Sequence, residues 1–274
     1  MNKPELYGKY NSFIKAAVVY FLDEYVEKMK WNNNNESVMD LGCGDGSVTS
    51  IIKRYVPSED VRFVASDISE KMVNYAREHY SKENITFRVL DMEGDLPTDL
   101  KNDFNHVFSF FTIQFIKNQE KAFRNIYDLL TKGGDCFLCF LKHMPCYDIF
   151  IQLSKEDKWK ELIKDVNKFV SPYNYIEDSA KKVTQIMENI GFTNINVQCK
   201  KMKYVMQNGN EFKSFMKSVE PFNMPSGVFE MFAKESVAVA QQIGILDKSS
   251  NNFEDHDTPV EFNYQVLVVY ASKP

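Results

Sequence analysis

The sequence predicts an α/β fold built on a mostly parallel sheet, and three observations carry that prediction. Asp40, Asp67 and Asp91 each close an apolar, strand-like run, in succession along the chain. Segments of helical periodicity separate the runs, and helical crossovers between strands imply parallel neighbours wound right-handedly. After the first run comes Gly42-Cys43-Gly44-Asp45-Gly46, with glycine at every second position. Glycine is required where backbone bends tightly and comes close to a ligand, because a Cβ would clash.

The elements follow in order. Lys9 to about Lys30 predicts an N-terminal helix, with Phe13, Ala16, Ala17, Tyr20 and Phe21 at mixed three- and four-residue spacing. A polar loop, Asn32–Asn35, precedes strand one at 37–41. The helix after the glycine turn carries Val48, Ile51, Ile52 and Tyr55 on one face and is stopped by Pro57. Strand two spans 61–66, and Ser69 then caps a helix carrying Met72, Val73 and Ala76. Strand three spans 84–90 and strand four 104–110. A helix from about Lys117 to Leu130 ends at Gly133-Gly134, and strand five covers Cys136 to Leu141. The pattern loosens over 143–175. A helix near 178–190 stops at Gly191, residues 193–205 are strand-like, 207–245 are helical and rich in Phe and Met, and 262–270 form a last strand. The insertion 207–258 reads as a cap over the sheet edge that carries the glycine turn, or as an amphipathic pair completing the core; the two are compatible. The chain, 1–274, reads as a single domain with its core at about 36–142.

Composition narrows the function. A chain of 274 residues with 44% hydrophobic content can bury one large α/β core. A formal net charge of −5 argues against a nucleic-acid backbone as the main partner. The five cysteines are scattered and odd in number, which predicts no disulfide framework and a reducing, cytoplasmic compartment. Cys136 and Cys139 have metal-like spacing, but strand residues i and i+3 point to opposite faces, so no metal is expected. No stretch approaches the ~20 apolar residues of a membrane span. Ala16–Leu22 runs straight into Asp23-Glu24 and reads as a helix face, not a leader.

Three strand-terminal acids gather on one edge of a parallel sheet, where such sheets bind ligands. The spacing G-x-G-x-G is not the dinucleotide fingerprint G-x-G-x-x-G, which disfavours a nicotinamide dehydrogenase. Asp67 lies about 25 residues beyond Gly42, near the ~20-residue offset at which an acid meets ribose hydroxyls. This pattern resembles the class I S-adenosylmethionine-dependent methyltransferases. The resemblance implies a Rossmann-like, seven-stranded sheet whose last strand is antiparallel and inserted beside strand five. It also implies S-adenosyl-L-methionine as cofactor, leaving as S-adenosyl-L-homocysteine. Asp40, Gly42, Cys43 and Gly44 would face its methionine end. Asp67 and Ile68 would lie at the ribose, Asp91 and Met92 at the adenine, and Ser109 along the channel.

Val38–Thr49, Phe87–Leu96, His106–Phe110, Asn118–Ile126 and Val170–Tyr173, with Pro221–Asn223 and Phe262–Tyr264, resemble insect juvenile hormone acid methyltransferases over nearly the whole chain. That resemblance implies methyl transfer to the carboxylate of a sesquiterpenoid or fatty acid, such as farnesoic acid or juvenile hormone acid, by a monomer or homodimer. A carboxylate is already ionised at neutral pH and needs alignment, not a general base. The four histidines are dispersed, and 22 Phe, 14 Tyr and 12 Met can line an apolar pocket. Members of that family commonly carry Gln where Ile14 stands and His-Trp where Gln114-Phe115 stands, and the Gln and Trp hold the substrate carboxylate. Ile14 and Phe115 cannot donate, so Gln114 is the candidate for positioning the carboxylate. His143, Trp159, Phe169 and Phe222 are further candidates for the substrate side; Trp159 and Phe169 either line the tunnel or pack the 143–175 segment. The alternative function is a degenerate paralogue that binds the cofactor or a hydrophobic ligand with little turnover.

Overall fold

The computed structural model describes residues 3–31, 36–57, 60–222, 224–244 and 259–274. The polar loop 32–35, Asn223 and the 245–258 end of the insertion lie outside the described residues. Two helices open the chain, α1 (Pro4–Tyr10) and α2 (Ser12–Tyr25), where the sequence predicts one. Pro4 starts α1, since its missing N–H is one that a helix leaves unpaired anyway. The break falls at Asn11, whose buried side chain donates to Ser47 Oγ at 3.1 Å.

Strand and helix then alternate: β1 (Ser37–Leu41), α3 (Ser47–Tyr55), β2 (Arg62–Asp67), α4 (Glu70–Tyr80), β3 (Ile85–Val89), β4 (Phe104–Phe110), α5 (Gln119–Leu129) and β5 (Leu130–His143). All five residues of β1 are buried, as expected of a central strand covered on both faces. Ser69 Oγ accepts the Met72 N–H at 3.4 Å, and Asn118 Oδ1 caps α5 through the Lys121 N–H at 3.0 Å. Gly133-Gly134 does not end the helix before β5. The strand already starts at Leu130, and the two glycines exchange backbone hydrogen bonds with Lys273.

The chain continues through α6 (Pro145–Leu153), α7 (Asp157–Lys160), α8 (Ser179–Ile190), β6 (Thr193–Met206), α9 (Gly209–Val219), α10 (Ser226–Gln242) and β7 (Val260–Ser272). The sheet order is β3-β2-β1-β4-β5-β7-β6, and β7 runs antiparallel between β5 and β6. The last strand is therefore placed and oriented as the family resemblance implies. Strand β1 has β2 on one side and β4 on the other, so the order reverses there, and ligands bind at such switch points beyond the strand C-termini.

One core layer joins α2, α3, α4, α6, α9 and α10 to a sheet face; α5 and α8 cover the other. Cys139 lies in the first layer and Cys136 in the second, as strand alternation requires. At the opposite end of the sheet from the switch-point edge, His106 is buried between two carboxylates. Its Nδ1 is 2.6 Å from Asp135 and its Nε2 3.0 Å from Glu36. Asp135 also accepts from the Lys30 N–H and the Tyr270 hydroxyl, so the N-terminal segment, β4, β5 and β7 meet there.

Candidate functional site

Behind the C-terminal end of β1, Gly42 turns with φ +80° and Gly44 with φ +55°. A Cβ on Gly42 would stand 2.2 Å from Thr112 Oγ1, so the loop can lie against the turn after β4 only without a side chain. The Gly42 and Cys43 N–H groups both donate to Ser66 O, at 2.7 and 2.8 Å, which ties the loop to the end of β2. Asp67 follows directly. Its carboxylate accepts the Gly44 N–H at 3.0 Å and the Ser69 N–H at 2.8 Å. Burial pushes its pKa above the ordinary carboxylate range, against the pull of those two amides. Asp91, after β3, accepts the Glu93 N–H at 3.0 Å.

These groups wall a cleft of about 480 Å³. Gly42, Gly44, Asp67, Ile68, Asp91 and Met92 all line it. Ile68 is 67% exposed, an apolar side chain held open at the rim. Three residues expected on the cofactor do not line the cleft. Asp40 is buried behind the loop and accepts the Thr49 hydroxyl at 2.7 Å; alternation along β1 turns it away from the face that Leu41 presents. Burial pushes its carboxyl up to about 7. The Cys43 thiol is buried in the first core layer, and burial pushes it well up. Ser109 is fully buried and donates to Leu41 O at 2.8 Å, tying β4 to β1.

Beside the cleft lies an apolar pocket between α2, α6 and α9. Ile14, Gln114, Phe115 and Phe169 line it, as expected for the substrate side. Its free space is about 60 Å³, well under the ~300 Å³ of the smaller ligand pockets, so side chains must yield before a ligand enters. Tyr7, Phe111 and Phe115 line both spaces and form the wall through which they meet. Phe111 has φ +53°, uncommon for a residue with a bulky side chain. Gln114 brackets it: Nε2 donates to Phe111 O at 2.6 Å, while Oε1 accepts the Leu141 N–H at 3.3 Å.

A family model described as a methyltransferase domain matches residues 38–134, the span that supplies all of the cleft lining except Tyr7. The juvenile hormone acid O-methyltransferase of Bombyx mori is 45% identical over 273 residues, covering 100% of this chain and 98% of that one. The enzyme of the same name from Drosophila melanogaster is 32% identical, covering 100% of this chain and 93% of its own length. The chain belongs to the juvenile hormone acid O-methyltransferase family. Among solved structures, phosphoethanolamine N-methyltransferase 2 of Haemonchus contortus shares the fold, with a TM-score of 0.54 and 18% identity. That match covers 93% of this chain, which spans 52% of the Haemonchus chain.

In this member of the juvenile hormone acid O-methyltransferase family, three expected substrate residues stand off the pocket. His143 Nδ1 is 2.9 Å from Asn174 Oδ1 and its Nε2 3.4 Å from Asp148, so the ring joins β5 to neighbouring segments. The Trp159 indole N–H donates to the Glu235 carboxylate and its ring packs edge-on against Phe232, which fixes α7 to α10. Phe222 packs edge-on against Phe150 and Phe169, behind those two wall residues. The insertion departs from expectation too. Among the described residues, Phe215, Val219 and Pro221 close the apolar pocket, and none of 207–244 lines the cleft. Sequence reasoning missed Tyr7 and Phe111, which line both spaces, and Tyr147, which lines the apolar pocket. Pro4 as a helix start was the available signal for Tyr7; nothing in the sequence marks Phe111 for a left-handed backbone.

Proposed function

We propose that this chain is an S-adenosylmethionine-dependent carboxyl O-methyltransferase whose substrate is a hydrophobic, sesquiterpenoid-type acid such as farnesoic acid or juvenile hormone acid. One observation carries the reading: a cleft walled by Asp67 and Asp91 shares Tyr7, Phe111 and Phe115 with an apolar pocket. The names of the Bombyx and Drosophila relatives support the same substrate class.

The cleft residues fit the cofactor by their chemistry. Asp67 and Asp91 offer carboxylate oxygens to paired hydroxyls and to an amine, and Ile68 and Met92 offer apolar faces to a purine. When bound, the cofactor supplies an electrophilic methyl group. The chain's own task is alignment, because the substrate carboxylate is ionised without help. Holding the reacting groups in line can contribute roughly 7–11 kcal/mol. Gln114 lines the pocket, and its amide has a second N–H beyond the one given to Phe111, so it positions the carboxylate. Gln114→Ala should lower kcat/KM for an apolar acid at least tenfold, from the loss of a hydrogen bond to a charged group; an unaltered rate would refute the role.

A cytoplasmic location is supported by four buried cysteines and one exposed cysteine, all free. No helix among the described residues is long and apolar enough to cross a membrane.

The test is transfer of labelled methyl from S-adenosylmethionine to farnesoic acid, juvenile hormone acid and medium-chain fatty acids. The expected product is a base-labile methyl ester, greatest with the sesquiterpenoid acids. Cofactor binding with no ester from any acid would favour a ligand-binding relative without turnover. That second reading has one observation behind it: Ile14 and Phe115, both on the pocket wall, offer no hydrogen-bond donor.

A further inference from the structure

One of the polar side chains lining the apolar pocket has a hydroxyl that the reaction described above does not use and that no neighbour among the described residues satisfies. Tyr147, on α6, lines the pocket and is 4% exposed. Its hydroxyl is buried and has no hydrogen-bond partner among the described residues. Among the described residues, it alone of the buried side-chain atoms left without a hydrogen bond belongs to a residue lining either cavity. A hydroxyl buried without a partner is destabilising, so native proteins rarely keep one without a purpose. A phenylalanine would fill nearly the same volume with no unsatisfied atom.

Position indicates what the hydroxyl meets. Tyr7, Phe111 and Phe115 line both spaces, so a carboxylate awaiting a methyl lies against them. Tyr147 lines the pocket and not the cleft. Gln114 also lines only the pocket, but it is bonded to Phe111 of the shared wall. Tyr147, on α6, has no such bond, so its ring borders the space for the substrate tail. Gln114, another polar side chain of the pocket, already has an amide hydrogen and its oxygen committed to backbone. Burial pushes the Tyr147 phenol up, so the group stays neutral and keeps a proton to donate. Its natural counterpart is an uncharged oxygen with lone pairs and no proton of its own.

We propose that Tyr147 is a specificity residue for the substrate tail, donating a hydrogen bond to an acceptor oxygen of the epoxide or ether class carried far from the carboxylate. Filling the pocket with a plain hydrocarbon leaves the hydroxyl unsatisfied; an oxygenated tail satisfies it. The same site thereby discriminates between acids that differ by one oxygen atom. This deepens the carboxyl methyl-transfer reading and rests on it.

The test compares two acids of the same carbon skeleton, one with an epoxide on the distal tail and one without, on wild-type protein and on Tyr147→Phe. The readout is the ratio of kcat/KM for the oxygenated acid to that for the hydrocarbon acid, in which any general loss of folded protein cancels. The substitution should shift this ratio about tenfold towards the hydrocarbon tail, mostly through KM. Tyr147→Phe should also melt no lower than wild type. A ratio that does not move would overturn the proposal, whether both rates stay the same or fall together. If wild-type protein methylates neither acid, the methyl-transfer reading fails, and calorimetric binding of the same two acids still decides the role of the hydroxyl. Weaker binding of the epoxide acid alone to Tyr147→Phe supports it; equal binding of both acids by both proteins overturns it.

Discussion

At the scale of the residue, an acid's role depends on which way its strand turns it. Asp40, Asp67 and Asp91 look alike in the sequence, each closing an apolar run. Asp67 and Asp91 line the cleft, whereas Asp40 is sealed behind it against Thr49. Burial holds the Asp40 carboxyl at about 7, above its ordinary value of 3.8. The folded state therefore holds this proton more tightly than the unfolded chain does. The stability this confers is full below about pH 4 and is lost as pH rises through about 7. Asp40→Asn cannot ionise and still accepts the Thr49 hydroxyl. Its stability relative to wild type should rise by on the order of 1–3 kcal/mol between pH 4 and pH 8, read from denaturant midpoints. A difference independent of pH would contradict this account of the site. The sequence could reveal that acids follow the strands. It could not say which of them reach the crevice, because a one-residue step along a strand reverses the facing side. Ser109 was misread for the same reason: it lies on β4 beside the cleft, yet bonds inward to Leu41.

At the scale of the element, strong periodicity made most of the fold legible. The helices α3, α4, α5 and α8 carry their apolar faces in plain sequence, and β1, β2 and β4 are short runs rich in apolar residues. What stayed hidden depends on partners distant in sequence. Strand β5 starts at Leu130 because the Gly133-Gly134 backbone pairs with Lys273 at the far end of the chain. Helix α1 is short, and its place is set by the glycine loop beneath it: a Cβ on Gly44 would meet the Tyr7 ring at 3.6 Å. The loop itself admits a direct test. Gly42→Ala would put a side chain in a left-handed conformation and drive its Cβ into Thr112. Backbone strain of about 1–2 kcal/mol and overpacking of about 1–3 kcal/mol should together lower stability by about 2–5 kcal/mol. Calorimetric melting should show a fall of roughly 5–15 °C. A midpoint within a degree of wild type would mean that the loop does not need its glycine there.

At the scale of the whole molecule, the sheet separates two tasks. Its N-terminal edge is fastened by the buried His106 cluster, and its C-terminal edge opens into the cleft. Within the described part of the insertion, Phe215, Val219 and Pro221 close the apolar pocket and none of 207–244 lines the cleft. The acid-bearing cleft and the apolar pocket thus lie side by side, with Tyr7, Phe111 and Phe115 between them. The pocket's small free volume means that side chains lining it must shift as an acid enters. A crystal structure with S-adenosylhomocysteine and a sesquiterpenoid acid bound together tests this arrangement most directly. The nucleoside should lie at Asp67 and Asp91, the sulfur and the carboxylate should meet beside Tyr7, Phe111 and Phe115, and the tail should run between α6 and α9. An acid bound elsewhere, or one whose carboxylate points away from the cleft, would contradict it.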